Sequence, residues 1–248
     1  MLSCVVLAAL ANIAGGLIIF IKKEWSKRAL GALMAVSAGL LLSIAVLDLI
    51  PDVMESHTVS PVFILIGLLI IFFIQQWAAP HFHHGEDVHS GAQSKSAVTG
   101  SVVGMVVHTF FDGFSIVASF EVDIRLGITV LIAIFLHKIP DGVTISSIVF
   151  SFSRNKKRAV EAAVLMGVTT LVGGFCAWLV TGFYFPNEAA LSIALSVTAG
   201  IFLYVAATDL LPVINGARDR LMSLFFFLSI LAYFILQWGL EQLHVGFH

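Results

Sequence analysis

Charged side chains are scarce in this chain of 248 residues. They make up 11% of it, against about 25% in a soluble globular domain. So little charge cannot coat a water-soluble globule. With 59% hydrophobic residues and a mean hydropathy of +1.01, the implied solvent is lipid. An excess of positive charge is also missing: the net charge is −2, which argues against nucleic acid as a partner, because its binding needs a basic footprint. Cysteine is nearly absent. Cys4 and Cys176 both lie inside apolar runs, so neither a disulfide framework nor a cysteine zinc site is available, and each reads as a small buried hydrophobe. There is no His-Glu-x-x-His and no Glu placed as a general base beside a ligand pair, which sets an intramembrane metallohydrolase aside. The chain is not expected to be an enzyme, and no organic cofactor is implied.

What is present is a series of apolar stretches long enough to cross a hydrocarbon core, which takes about 20 residues. They number eight, at roughly 3–21, 29–50, 61–79, 97–120, 126–151, 159–183, 188–213 and 221–240. The expected fold is a single all-α transmembrane domain over residues 1–248, integral to the lipid bilayer. The first stretch has no preceding positive residues and is followed by Lys22 and Lys23, the reverse of a cleaved signal peptide, so it is expected to remain as a helix. Placing the N-terminus outside puts Lys22, Lys23, Lys27, Arg28, Lys95, Arg154, Lys156, Lys157, Arg158, Arg218 and Arg220 in cytoplasmic loops, and only Arg125 in a loop on the other side. That asymmetry follows the positive-inside rule and predicts both termini on the non-cytoplasmic face. The longest cytoplasmic loop, 80–96, carries His81, His83, His84 and His89, a composition suited to accepting or sensing a metal ion.

Ionisable groups inside these stretches are costly, roughly 2.5–3.5 kcal/mol each at a helix centre, yet they recur in order. The fourth stretch contains His108-Thr109-Phe110-Phe111-Asp112-Gly113 and the fifth His137-Lys138-Ile139-Pro140-Asp141-Gly142. Each is a His-x-x-x-Asp-Gly near mid-membrane. The i, i+4 spacing puts His and Asp on one face, one turn apart. Two such faces on antiparallel neighbours can bring two imidazoles and two carboxylates to one point, a plausible ligand set for zinc or a similar borderline ion. Pro140 lacks a backbone donor, so it kinks its helix and frees a carbonyl near the site. Gly113 and Gly142 allow close approach of neighbouring backbone.

A second echo joins Asp48-Leu49-Ile50-Pro51-Asp52 in the second stretch to Asp209-Leu210-Leu211-Pro212 in the seventh. The second and seventh stretches, like the fourth and fifth, are equidistant from the middle of the chain and run in opposite directions. This is the pattern of an inverted-topology repeat with a site at the midplane. Asp48, Asp52 and Asp209, together with Thr109 and Lys138, are candidates for a gate or relay, with helix capping at the interface as the alternative for Asp52. Lys138, buried beside two Asp and two His, is expected to pair with Asp112, Asp141 or Asp48, in the place where a second cation would sit.

With these residues in view the chain resembles the ZIP (Zrt/Irt-like) family of divalent metal transporters, in its prokaryotic-type form. The resemblance covers the whole chain: eight stretches, outward termini, a His-rich loop between the third and fourth, and polar motifs on the fourth and fifth. It implies transport of zinc, iron, manganese or cadmium toward the cytoplasm, with His108, Asp112, His137 and Asp141 as ligands. It also implies an eight-helix bundle, a homodimer, and alternating access by one helix group moving against another. Family members with a two-metal site carry a polar amide or similar ligand after the fourth-helix His, and often a carboxylate after the fifth-helix His. Here those positions hold Thr109 and Lys138, so one metal is expected. A compact chain of this kind suits a bacterial inner membrane. Two other readings of the same residues are a proton relay serving a carrier of another solute, and a membrane metal sensor that binds without flux.

Overall fold

The structure is a computed structural model that describes residues 1–21, 27–56, 60–78, 95–181, 188–216 and 220–245. Every regular element among them is helical. Backbone inside a bilayer must satisfy its own polar groups, and a helix does so within one segment. The helices are α1 (Leu2–Ile21), α2 (Lys27–Ile44), α3 (Ile50–Ser56), α4 (Val62–Ala78), α5 (Lys95–Val122), α6 (Ile124–Ser153), α7 (Lys156–Leu179), α8 (Glu188–Tyr204), α9 (Leu211–Gly216) and α10 (Arg220–Val245).

Seven spans among the described residues are long and apolar enough to cross a membrane. The protein is an integral, multi-pass membrane protein. The third apolar stretch, expected at 61–79, forms α4, whose apolar part Val62–Ile74 is shorter than a full crossing. The outer faces are apolar too: α10 exposes Phe227, Leu231, Phe234, Ile235 and Trp238, surface that lipid can cover.

Two joints depart from the expected boundaries. The second span does not stop at residue 50. It passes through a π-helical turn, Ala45–Leu49, and continues past Pro51 to Ser56. The seventh behaves alike, passing through Val205–Leu210 and past Pro212 to Gly216. In each, a backbone N–H reaches five residues back, Ile50 to Ala45 and Leu211 to Ala206. A wider turn ahead of proline relieves the clash of its ring with the preceding turn. The Asp-x-x-Pro echo is therefore an echo of backbone geometry as well.

The helices pack as two groups of neighbours. One holds α1, α5, α6 and α7; the other holds α2, α4, α8 and α10 with the short pieces α3 and α9. They meet mainly along α2–α6 and α5–α8. Tight turns hold α5, α6 and α7 antiparallel. Asp123 alone separates α5 from α6, and its carboxylate accepts from Arg125 N and Nε, both at 3.0 Å. The expected loop at 121–125 is thus a single residue, and Arg125 lies in the first turn of α6. At the other end Arg154 takes a left-handed conformation (φ 52°), and the Asn155 side chain caps α7 by accepting from Lys157 N at 2.9 Å.

Two glycines explain how closely these helices sit. A Cβ on Gly113 would collide with the Thr170 carbonyl oxygen of α7, and one on Gly142 with the Asn12 carbonyl oxygen of α1. Each follows the Asp of a His-x-x-x-Asp-Gly motif, so the motif glycines press the two motif-bearing helices onto their neighbours.

Candidate metal centre

His108 and Asp112 lie one turn apart on α5, and His137 and Asp141 one turn apart on α6. The antiparallel packing turns both pairs to one point. Each residue offers one ligand atom, and the four atoms lie within 4.8 Å of one another. His108 Nε2 is 3.4 Å from Asp112 Oδ2 and 3.5 Å from Asp141 Oδ2. His137 Nε2 is 3.5 Å and 4.0 Å from the same two oxygens. A tetrahedral ion with bonds of about 2.0–2.1 Å has ligand–ligand edges of about 3.3–3.4 Å. Three of the four His–Asp distances are within a tenth or two of that, and all four ligand atoms lie within 4.8 Å of one another, close enough to draw together around one ion.

The four side chains are sealed: His108 is 5% exposed, Asp112 3%, His137 1% and Asp141 1%. Toward the ends of α5 and α6 at Lys95 and Ser153 the core closes with Met105, Ile145, Ile148 and Met166. Toward the other end it closes with Ile116, Val117, Leu126 and Val130. Pro140 lies inside α6 between His137 and Asp141, so the helix lacks one amide donor beside the centre.

Lys138 is fully buried, and its Nζ lies 2.6 Å from Asp112 Oδ2. Of the three partners considered from sequence, Asp112 is the one it takes. This is the same oxygen that both imidazoles approach. Thr109 points elsewhere: its hydroxyl donates to the Val106 carbonyl at 3.1 Å and lies 3.8 Å from Met166 Sδ on α7.

Among the described side chains, Asp48 and Asp52 are not part of this cluster. Asp48, in the π turn after α2, accepts from Tyr233 Oη at 2.6 Å and Gln237 Nε2 at 3.0 Å, both on α10. Its two oxygens are engaged in joining those helices. Asp52 lies one turn further on, in α3. Asp209 sits in the second π turn. His81, His83, His84 and His89 lie outside the described residues, as does most of the loop 80–96; α5 begins at Lys95. Cys4 and Cys176 are free and partly buried.

Sequence reasoning missed Ser37. It sits on α2, fully buried, with Oγ 3.0 Å from His137 Nδ1 and 2.9 Å from the Ala133 carbonyl oxygen. His137 Nδ1 is itself 3.1 Å from that carbonyl. A carbonyl only accepts, so this contact favours a proton on Nδ1, and in that tautomer of the neutral ring the Nε2 lone pair faces the four-atom cluster. A Ser in an apolar helix gives no local signal. Only the docking of α2 on α6 could reveal it.

Apolar helices closing on two imidazoles and two carboxylates define a multi-pass membrane protein with a buried cluster of groups able to hold a cation. The family described as ZIP Zinc transporter matches residues 75–240, about two thirds of the chain, and the protein belongs to that family. Among curated relatives, Zinc transporter ZupT of Salmonella newport (strain SL254) and of Salmonella typhimurium (strain LT2) are each 25% identical over 216 residues, covering 83% of both chains. Zinc transporter foi of Drosophila melanogaster is 30% identical over 146 residues, which is 56% of this chain and 20% of that protein. The chain thus spans a fifth of the length of the fly relative and most of the length of the bacterial ones.

Proposed function

We propose that this protein carries divalent transition-metal ions, zinc first among them, across the membrane toward the cytoplasm, binding one ion at a time between His108, Asp112, His137 and Asp141. The observation that carries the reading is the convergence of four buried ligand atoms, all within 4.8 Å of one another, from two antiparallel helices. Two imidazole nitrogens and two carboxylate oxygens suit zinc, and leave iron, manganese or cadmium as alternatives.

Charge argues for one ion. Two carboxylates and the Lys138 ammonium carry a single net negative charge when both imidazoles are neutral. One divalent cation takes the cluster to a single positive charge. A second would leave several uncompensated charges in a site of low dielectric, at a cost of several kcal/mol per ion. Lys138 thus stands in for the second cation.

Because the core closes over the ligands toward both ends, an ion enters and leaves only when packing on one side parts. Alternating access meets that need, with the α1–α5–α6–α7 group shifting against the other. The spans are read as eight, with α4 as the third, arranged as an inverted repeat with both termini outside the cytoplasm, in a homodimer in a bacterial inner membrane. Asp52 and Asp209 are placed as gate or relay residues on the outer path. Asp48 is assigned to docking α10. The histidines at 81, 83, 84 and 89 receive or sense the ion on the cytoplasmic side.

The test is zinc uptake into proteoliposomes by wild type, His108→Ala and Asp141→Ala. Uptake should be saturable in the wild type and lost in both variants. Uptake untouched by either substitution would remove these residues as the transport site and leave a relay for another solute. Zinc binding without flux in the wild type would make the protein a sensor.

A further inference from the structure

The contact between Ser37 and His137 crosses from one helix group to the other. Ser37 belongs to α2, which packs on α10, α8 and the second π turn. His137 belongs to α6, which packs on α1, α5 and α7. At this crossing a side chain of one group touches a proposed ligand held by the other. Another crossing pair, Ser115 Oγ to Thr198 Oγ1 at 3.4 Å, involves no proposed ligand.

Resting on the zinc-transport reading, we infer that Ser37 is a positioning residue: from the neighbouring helix group it holds the His137 ring in its metal-binding tautomer and orientation, and so ties metal affinity to the relative position of the two groups. The His137 Nδ1–H is shared between the Ala133 carbonyl, one turn back on its own helix, and Ser37 Oγ. Ser37 in turn donates to that same carbonyl. The three atoms form a closed set in a fully buried place, where no water competes for them. The Ala133 carbonyl travels with His137. Ser37 does not. When the groups are in register, the ring has two acceptors on Nδ1 and its Nε2 is aimed. When α2 moves away along α6, the ring loses the acceptor that the other group supplied, its orientation is less constrained, and its basicity as a ligand falls.

Outer partners of this kind on ligating histidines typically alter metal affinity about ten- to a hundredfold. The closed arrangement described here then has the tighter site, and sliding the groups apart weakens it. The weakening coincides with the opening that lets the ion leave, so release needs no separate trigger. An equal affinity in both positions would shift nothing between them.

The experiment uses the full chain, purified and in proteoliposomes, with Ser37→Ala, Ser37→Thr and Ser37→Val. Thr and Val share a shape and differ in the hydroxyl, as Ser and Ala nearly do. Either pair therefore separates the hydrogen bond from packing, should the bulkier variants fail to fold. Affinity is read by titrating Co2+ and following its ligand-field absorption, and uptake by the KM and maximal rate for Zn2+. Ser37→Ala and Ser37→Val should bind Co2+ about ten- to a hundredfold more weakly, with an altered ligand-field spectrum and a raised KM, while the maximal zinc rate holds or rises. Ser37→Thr should stay near wild type. Wild-type affinity and KM in Ser37→Ala would overturn the inference, as would Thr falling as far as Val. Failure of the wild type itself to bind Co2+ or carry Zn2+ would instead overturn the transport reading.

Discussion

Lys138 Nζ lies 2.6 Å from the one oxygen of Asp112 that both His108 and His137 approach, so a tethered ammonium and the proposed metal ion share a carboxylate. The ammonium offsets one of the two carboxylate charges before any ion arrives. It also sets the first prediction. Lys138→Met leaves Asp112 buried without its cation, a loss of about 3–5 kcal/mol. Zinc at a hundred times its Kd should add about 2.7 kcal/mol by mass action, in the variant as in the wild type at the same saturation. Thermal unfolding in detergent, with and without zinc, reads both numbers. A variant as stable as wild type would show that the ion pair does not hold the site.

Stoichiometry follows from the same contact. Metal analysis of zinc-loaded wild type should give one ion per chain. Lys138→Glu replaces the ammonium with a carboxylate and should raise the count toward two. A wild type that already binds two would refute the view of Lys138 as the second cation's substitute.

Acid should unload the site. Zinc binds imidazole through an unprotonated nitrogen, so protons compete with the ion as the pH falls. Affinity should drop by up to about tenfold per pH unit for each proton displaced. Zinc titrations between about pH 5 and 8 should show binding that strengthens steadily with pH. A flat profile would argue against imidazole ligation.

Gly142→Ala should cost more than its one carbon suggests. The new Cβ meets the Asn12 carbonyl of α1, which is backbone and cannot swing aside. Overpacking of this kind costs typically about 1–3 kcal/mol, and it displaces Asp141, the adjacent residue. Zinc uptake should fall together with the unfolding temperature. Gly239→Ala, where nothing lies within 4 Å, is the control and should leave both unchanged.

Asp48 should prove a joint between helices. Asp48→Asn and Tyr233→Phe, singly and together, should show a coupling of roughly 1–3 kcal/mol in a double-mutant cycle of stability. Zinc uptake should persist in Asp48→Asn. Loss of uptake without loss of stability would return Asp48 to the ion path.

The candidate cluster was largely legible because its residues are expensive. A His or Asp in an apolar run stands out against a background that should exclude it, and the repeated i, i+4 spacing says which face it shares. His108, Asp112, His137 and Asp141 could be read in this way, and so could the presence of a partner for Lys138. Which partner Lys138 takes could not, because Asp112, Asp141 and Asp48 are equal candidates until the helices are docked. Ser37, Tyr233 and Gln237 carried no signal either. Hydroxyls, phenols and amides are tolerated at many positions in a membrane helix, and their meaning lies wholly in what another helix brings opposite them.

The sequence by itself determined that this chain lives in lipid, that its backbone is helical, and that two spans carry matched ligand pairs. Each of these follows from local chemistry: apolar length, internal satisfaction of the backbone, and side-chain period. The tertiary structure alone decided which faces meet. It joined the two pairs into one buried cluster, seated the ammonium against Asp112 and the serine against His137, and widened both Asp-x-x-Pro turns. Those outcomes depend on the register and close approach of helices far apart in the chain, set by the summed packing of small residues such as Gly113 and Gly142, and no window of sequence contains that sum.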